Sequence, residues 1–188
     1  ILLKYNSSGT KQWTQQLGTT SGESGSGVAV DSNGNVYVAG STLGGLDGNV
    51  NTGLGDIFLV KYNASGTKQW TKQLGTSATE EVTGASVDSG GNVYITGYTR
   101  GGLDGNTSAG NKDIFLLKYN SSGVKQWTKQ IGTSSDDGGQ GVAIDSNGNI
   151  YVTGYTYGGL DGNTNLGSYD VILLKYNSSG TKQWTQQL

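Results

Sequence analysis

The sequence predicts an all-β fold, a β-propeller of four-stranded antiparallel blades, and three observations lead there. Trp13, Trp70, Trp127 and Trp184 recur at a fixed 57-residue step, which Tyr5, Tyr62, Tyr119 and Tyr176 keep and the GGLDGN segments starting at 44, 101 and 158 repeat. Apolar residues are grouped in short runs of strand formers, such as Ile57-Phe58-Leu59-Val60 and Val36-Tyr37-Val38. Turn-forming Asn, Ser and Gly separate these runs, and no helical period is evident. A repeat of this length marks stacked or radial supersecondary units.

The period divides the chain into a half unit at 1–17 and full units at 18–74, 75–131 and 132–188. Within the first full unit, strand a is expected at Gly27–Asp31, b at Asn35–Ser41, c at Asp56–Tyr62 and d at Thr67–Leu74. The a–b connection holds Asn33-Gly34, a pair that accepts positive φ at both centres of a type I′ hairpin turn. The c–d connection is Asn63-Ala64-Ser65-Gly66, where the Asn side chain caps the turn and Gly takes the left-handed position. Strand c is apolar at consecutive positions, as befits a strand covered on both faces. The b–c and d–a links are longer, Gly-rich and polar. A parallel β-helix also stacks repeats, but two antiparallel hairpins per unit argue against it.

The run GxxDIFLVKYNxSGxxxW together with VDSxGNVYVxGYT resembles the bacterial SBBP-type beta-propeller repeat, over nearly the full length of every unit. The segment GVAVDSNGNVYV is also similar to NHL-type blades, which implies that strand a is innermost. The resemblance implies a fold and brings little chemistry with it.

Composition narrows the function. With 34 Gly, no Pro and 32% apolar residues the chain could be read as flexible, but the grouping of its apolar residues overrides that. A net charge of −2 with evenly spread Lys offers no footprint for nucleic acid or an anionic membrane. No apolar stretch approaches the ~20 residues of a membrane span. The chain has no Cys and no His, which removes thiolate chemistry, the usual general base and the usual transition-metal ligand. Paired acids such as Glu80-Glu81 and Asp136-Asp137 are expected as loop neighbours without an opposing carboxylate. No enzyme activity is therefore expected. The chain has no Met, and three blades do not close a ring, so it is read as a window on a longer array.

Variation among the units gathers in the d–a and b–c links, which alternation of the strands places on one face of the disc. Leu43, Arg100 and Tyr157, with Tyr98, Tyr155 and Tyr169, are the candidate ligand or partner residues on it. The b–c links also carry oxygen side chains at alternating positions: Asp47, Asn49, Asn51 and Asp56; Asp104, Asn106 and Asp113; Asp161, Asn163, Asn165 and Asp170. That ligand type suits Ca²⁺, although the EF-hand pattern is not met, and turn chemistry alone also accounts for it. The Trp residues, fixed in every strand d, are read as packing between blades. Asn6, Asn63, Asn120, Asn177 and Asn106 begin N-x-S sequons open to glycosylation. The expected role is an extracellular or cell-surface structural scaffold whose partners are other copies or further repeats. The alternative is a glycan-binding module, with Ca²⁺ as the one cofactor considered.

Overall fold

Each 57-residue unit folds as one antiparallel sheet whose strands follow chain order, because every connection within it joins strands that lie side by side. The structure, a computed structural model, describes residues 1–188. The half unit gives a two-stranded sheet of β1 (Leu2–Tyr5) and β2 (Lys11–Gln15). The first full sheet comprises β3 (Glu23–Val30), β4 (Val36–Thr42), β5 (Asp56–Tyr62) and β6 (Lys68–Leu74). The second comprises β7 (Glu80–Val87), β8 (Val93–Thr99), β9 (Asp113–Tyr119) and β10 (Lys125–Ile131), and the third β11 (Asp137–Ile144), β12 (Ile150–Thr156), β13 (Asp170–Tyr176) and β14 (Lys182–Gln187). The all-β blade architecture expected from the repeat is thus present.

Two local expectations are corrected. Strand a begins at Glu23, four residues before the expected Gly27, and a bulge between Gly25 and Gly27 keeps its register with β4. The a–b turn is not type I′, because Gly34 has positive φ (76°) and Asn33 does not. Asp31 selects the three-residue alternative. Its carboxylate accepts from the backbone N–H of Asn33 and Asn35, both at 2.9 Å, while Gly34 N–H donates to Asp31 O. The c–d turn forms as expected: Asn63 Oδ1 accepts from Ser65 N and Thr67 N, and Gly66 takes φ 84°.

The core lies in the seams between sheets. Tyr37, Ala39, Ile57 and Leu59 of the first full sheet pack with Val93, Ile95, Phe115 and Leu117 of the second. Tyr94, Ile114 and Leu116 of the second pack with Ile150, Val152, Ile172 and Leu174 of the third. Innermost strands approach backbone to backbone: a Cβ on Gly27 would lie 2.8 Å from the Ala85 nitrogen. Strand a is therefore the strand at which neighbouring sheets crowd, as the NHL likeness implies.

On the hairpin-turn side each seam is closed by one clasp. The strand-d Trp lies on the Gly of the next sheet's c–d turn, so that a Cβ on Gly66, Gly123 or Gly180 would sit 2.9 Å from Trp13, Trp70 or Trp127. The strand-c Lys donates to a carbonyl of the same turn: Lys4 to Ala64 O at 3.0 Å, Lys61 to Ser121 O at 2.9 Å and Lys118 to Ser178 O at 3.1 Å. In each full sheet a strand-b Tyr joins them, with Tyr37 and Trp70 centroids 6.1 Å apart and Lys61 Nζ 5.2 Å from the Tyr37 ring. The Trp residues are thus packing residues between sheets.

Gly9 and Gly123 hold the same turn position at nearly the same φ, 77° and 76°, yet a Cβ on Gly9 meets nothing within 4 Å. Gly9→Ala should cost about 1–2 kcal/mol for the left-handed backbone alone. Gly123→Ala should add roughly 1–3 kcal/mol for the collision with Trp70. Urea denaturation of both variants separates the two, and equal losses would mean that the Trp is not seated on the turn.

Candidate functional site

The face opposite the hairpin turns is built from the b–c and d–a links, which are knitted together by backbone bonds. Within a sheet, Leu43 N donates to Gly22 O, Arg100 N to Thr79 O and Tyr157 N to Asp136 O, at 2.9–3.0 Å. Across the seams, Glu80 N donates to Gly55 O at 2.8 Å and Asp137 N to Lys112 O at 2.9 Å. The links are a fixed surface, and the residues that vary between units decorate it.

Three of the expected ligand residues come together on the third sheet. Tyr155 and Tyr157 alternate at the end of strand b and its link, and Tyr169 arrives from just before β13. Their ring centroids stand 5.9 Å (Tyr155–Tyr157), 6.4 Å (Tyr155–Tyr169) and 5.6 Å (Tyr157–Tyr169) apart. Rings this close touch one another and leave no slot between them, so they form a platform. Tyr157 is 46% and Tyr169 60% exposed.

Beside the platform lies a polar chain from the second sheet. Arg100 Nη1 donates to Asn111 Oδ1 and Asn111 Nδ2 to Asp136 Oδ1, both at 2.7 Å. Lys112 Nζ lies 3.8 Å from Asp136 and 4.5 Å from the Tyr98 ring centroid. The Tyr98 hydroxyl donates to Glu81, and burial together with that carboxylate pushes its pKa up to about 12. Burial and then the Asp136 charge also push Tyr155 up. Tyr98, Arg100 and the three clustered Tyr thus form one continuous surface, rich in hydroxyls and charge. Leu43 stands apart on the first full sheet, 56% exposed, at a cleft of about 430 Å³ lined also by Glu23, Glu80 and Glu81.

The residues considered for Ca²⁺ are directed to separate partners. Asp47, Asp104 and Asp161 take left-handed φ of 51–55° in one-turn 3₁₀ segments beginning at Leu46, Leu103 and Leu160. They pair with Lys68, Lys125 and Lys182 of strand d and accept from Thr71, Thr128 and Thr185. Asn49, Asn106 and Asn163 donate Nδ2 to the carbonyls of Leu46, Leu103 and Leu160. Asn51 donates to Leu43 O, and Asn165 Oδ1 accepts from Gly167 N. Asp56, Asp113 and Asp170 lie buried at the other end of the link, each bonded to a Gln in the last two residues of the outer strand, Gln73, Gln130 or Gln187. Among the sequons, Asn6, Asn63, Asn120 and Asn177 hold their turns through Oδ1, whereas Asn106 commits its amide nitrogen to Leu103.

An opposing carboxylate, missed in the sequence, faces the strand-a acid. Glu80 and Asp137 open β7 and β11 instead of lying in loops, and both are fully buried. Across the seam stand Asp56 and Asp113. A Cβ on Gly75 would lie 2.0 Å from Asp56 Oδ1 and 2.9 Å from Glu80 Oε2. Glu23, Glu80 and Asp137 keep the repeat step, as do the three Asp, and that shared period was the available signal. In the first such seam Thr52 Oγ1 donates to Asp56 Oδ1 at 3.0 Å, but Ala109 supplies no hydroxyl to Asp113, and Asp113 Oδ1 and Asp137 Oδ1 have no partner. Burial pushes the Asp137 carboxyl up, donation from Thr156 and Thr133 opposes this, and the Asp113 charge adds to it.

Three matches to the SBBP beta-propeller repeat cover residues 12–47, 69–104 and 126–161. The chain belongs to this family. Relatives of the SBBP repeats include regulatory protein FlaEY of Caulobacter vibrioides, 32% identical in an alignment 168 positions long that covers 81% of this chain and 17% of that protein. An uncharacterized WD repeat-containing protein of Acanthamoeba polyphaga mimivirus is 29% identical in an alignment 186 positions long that covers 78% of this chain and 13% of that protein. The chain therefore spans less than a fifth of either relative. Among solved structures, a Bacteroides caccae protein of unknown function superposes with a TM-score of 0.55 at 13% identity, over 96% of this chain and 51% of that one. A mutant of the Synechocystis apocarotenoid oxygenase gives 0.51 at 13% identity, over 98% and 44%. At such identity these two share the fold alone with the SBBP repeats.

The raised Asp137 carboxyl gives a signed prediction. Below the unfolded-state pKa of about 3.9 the residue is neutral in both states and carries no penalty. As pH rises through the raised folded-state value, ionisation costs the folded state stability. Asp137→Asn, which keeps an acceptor for Thr133, should therefore stabilise at pH 7 by about 1–3 kcal/mol, with the gain fading near pH 3. Thermal melts across that range test it, and a pH-independent difference would contradict it.

Proposed function

We propose that this chain is a binding and structural scaffold, displayed outside the cell, that extends sheet by sheet through the Lys–Tyr–Trp clasp. One observation carries the reading. The third sheet holds Lys175, Tyr151 and Trp184 in the clasp arrangement, with Tyr151 and Trp184 centroids 6.3 Å apart, but no turn rests on them and Trp184 is 37% exposed. The turn at the other end, Asn6 to Gly9, has the receptor geometry and an unfilled glycine. The two outer faces thus carry complementary halves of a contact made three times within the chain. Apolar residues accompany both halves, Ile1, Leu3 and Tyr5 at one end and Val171 and Leu188 at the other. The partner is accordingly another copy or a further repeat, and the much greater length of the relatives is in keeping with this.

Sedimentation of the parent beside the pair Lys175→Glu, Trp184→Ala tests the reading. The parent should associate with rising concentration, and the variant should stay monomeric with a nearly unchanged melting temperature because its clasp is open. A parent that remains monomeric to about 1 mM, weaker than about −4 kcal/mol, would overturn it.

A second reading is favoured by the tyrosine platform, which no other sheet possesses. Exposed aromatic faces edged by hydroxyls and by Asp136, Lys112 and Arg100 suit the apolar face and hydroxyl rim of a sugar ring. Such a chain would be a glycan-binding module, acting by binding and not by catalysis. Tyr157→Ala with Tyr169→Ala should abolish retention on a glycan array, and equal retention would dismiss the platform. If Ca²⁺ assists, calorimetric titration at millimolar metal should give heat and raise the melting temperature.

A further inference from the structure

At the seam between the second and third sheets, four repeat positions on the loop face change together. Where the seam before it has Leu43, Leu54, Gly55 and Thr79, this one has Arg100, Asn111, Lys112 and Asp136. The four form a relay with a direction. Lys112 lies beside the Asp136 carboxylate, Asp136 Oδ1 accepts from Asn111 Nδ2, and Asn111 Oδ1 accepts from Arg100 Nη1. Each link orients the next, and the last group held is the only guanidinium in the chain. Arg100 is exposed, forms no ion pair, and spends one of its five N–H donors on Asn111. A fork held in place with its other donors open suits a planar anion, which it meets with two parallel bonds.

Asp136 ties this relay to the tyrosine platform, since its backbone oxygen accepts from Tyr157 N at 3.0 Å. Tyr155 leans over strand a at Gly138, where a Cβ would lie 2.7 Å from its ring, and the second sheet has Glu81 at that position. The hydroxyls of Tyr37, Tyr94, Tyr98 and Tyr151 donate to carboxylates of their own units, whereas those of Tyr155, Tyr157 and Tyr169 have no protein partner. The carboxylates nearby are engaged, Asp136 by Asn111 and Lys112 and Glu81 by the Tyr98 hydroxyl, so the open charge at the rim of the platform is positive.

We infer that this surface takes an acidic oligosaccharide: one sugar ring lies on Tyr157 and Tyr169, and the carboxylate of a uronic acid further along the same glycan is held by Arg100. Two side chains, Asp136 and Asn111, stand between the fork and the platform, so the ligand spans more than one ring. The inference rests on the glycan-binding reading and adds to it the charge and the minimum length of the ligand.

The test uses the full chain with cellotetraose, with its counterpart in which the C6 carbons are carboxylates, and with free glucuronate. Calorimetric titration should show the anionic tetramer binding about tenfold more tightly than the neutral one, with a preference that shrinks as salt is added, and the single sugar binding far more weakly than either. Arg100→Gln should bring the anionic tetramer to the level of the neutral one while leaving the neutral tetramer and the melting temperature nearly unchanged. Arg100→Lys, which keeps the charge and loses the fork, should restore only part of the preference. Equal binding of the two tetramers, a preference that survives Arg100→Gln, or glucuronate as tight as the tetramer would overturn the inference and leave the glycan reading standing. Absence of binding by the anionic tetramer would overturn it too, and if the parent is also retained by nothing on a glycan array, the glycan reading falls with it.

Discussion

The seat of an indole on a left-handed glycine is the contact on which the hairpin-turn side of every seam depends. The glycine is required twice: its φ near +80° closes the c–d turn, and its missing Cβ lets the ring of the preceding sheet lie within contact distance of the backbone. Because the turn is rigid, held by the Asn side chain on two backbone N–H groups, it fixes where the Trp must be. The Trp fixes the outer strand, and the Lys then reaches the same turn's carbonyl. One flat ring thus sets the angle between sheets through a contact that neither sheet makes alone.

The loop face obeys a different constraint. There the seam is crossed by backbone bonds and by two buried carboxylates, a combination that is unfavourable unless donors surround each charge. Asp56 and Glu80 meet it, with donors from Thr52, Gln73, Thr76 and Thr99. In the next seam Ala109 and the shorter Asp137 each remove reach or a donor, and the orphaned oxygens appear together. The same seam borders the tyrosine platform, so the least satisfied part of the scaffold lies beneath its most decorated surface. Drift in the links thus changes both what the face presents and what the seam must bear.

Strands c and d and the c–d turn were legible from sequence because their determinants are local: an apolar run, an Asn cap and a Gly. Strand a was read short because Glu23-Ser24-Gly25-Ser26 carries no apolar signal; it is a strand by virtue of backbone pairing with β4, beside a bulge no side chain announces. The a–b turn differs from the expectation because Asn-Gly suits two hairpin loops, and Asp31, two residues before Asn33, selects between them. In the candidate site, Tyr155 and Tyr157 could be paired by strand alternation, but their meeting with Tyr169 depends on how a thirteen-residue link (157–169) folds back. The facing acids were invisible as a pair because they belong to different sheets, and only the repeat step relates them.

Repetition supplies its own controls, and they separate what a segment encodes from what its neighbours impose. ILLKYNSSGTKQWTQQL stands at both ends of the chain and folds to the same hairpin at both, with the same Asn-capped turn and the same bulged register beside the Tyr. Yet Tyr5 is 54% exposed and Tyr176 4%, whereas Trp13 is the more sheltered of the two indoles and donates to Ala64 O at 3.1 Å. The hairpin is therefore written in the segment, and burial is conferred by the sheet on either side. Tyr looks back to the preceding sheet and Trp forward to the next. A unit with these two faces specifies how one sheet follows another but no number of units, so the period alone foretells the blade and not how many blades there are.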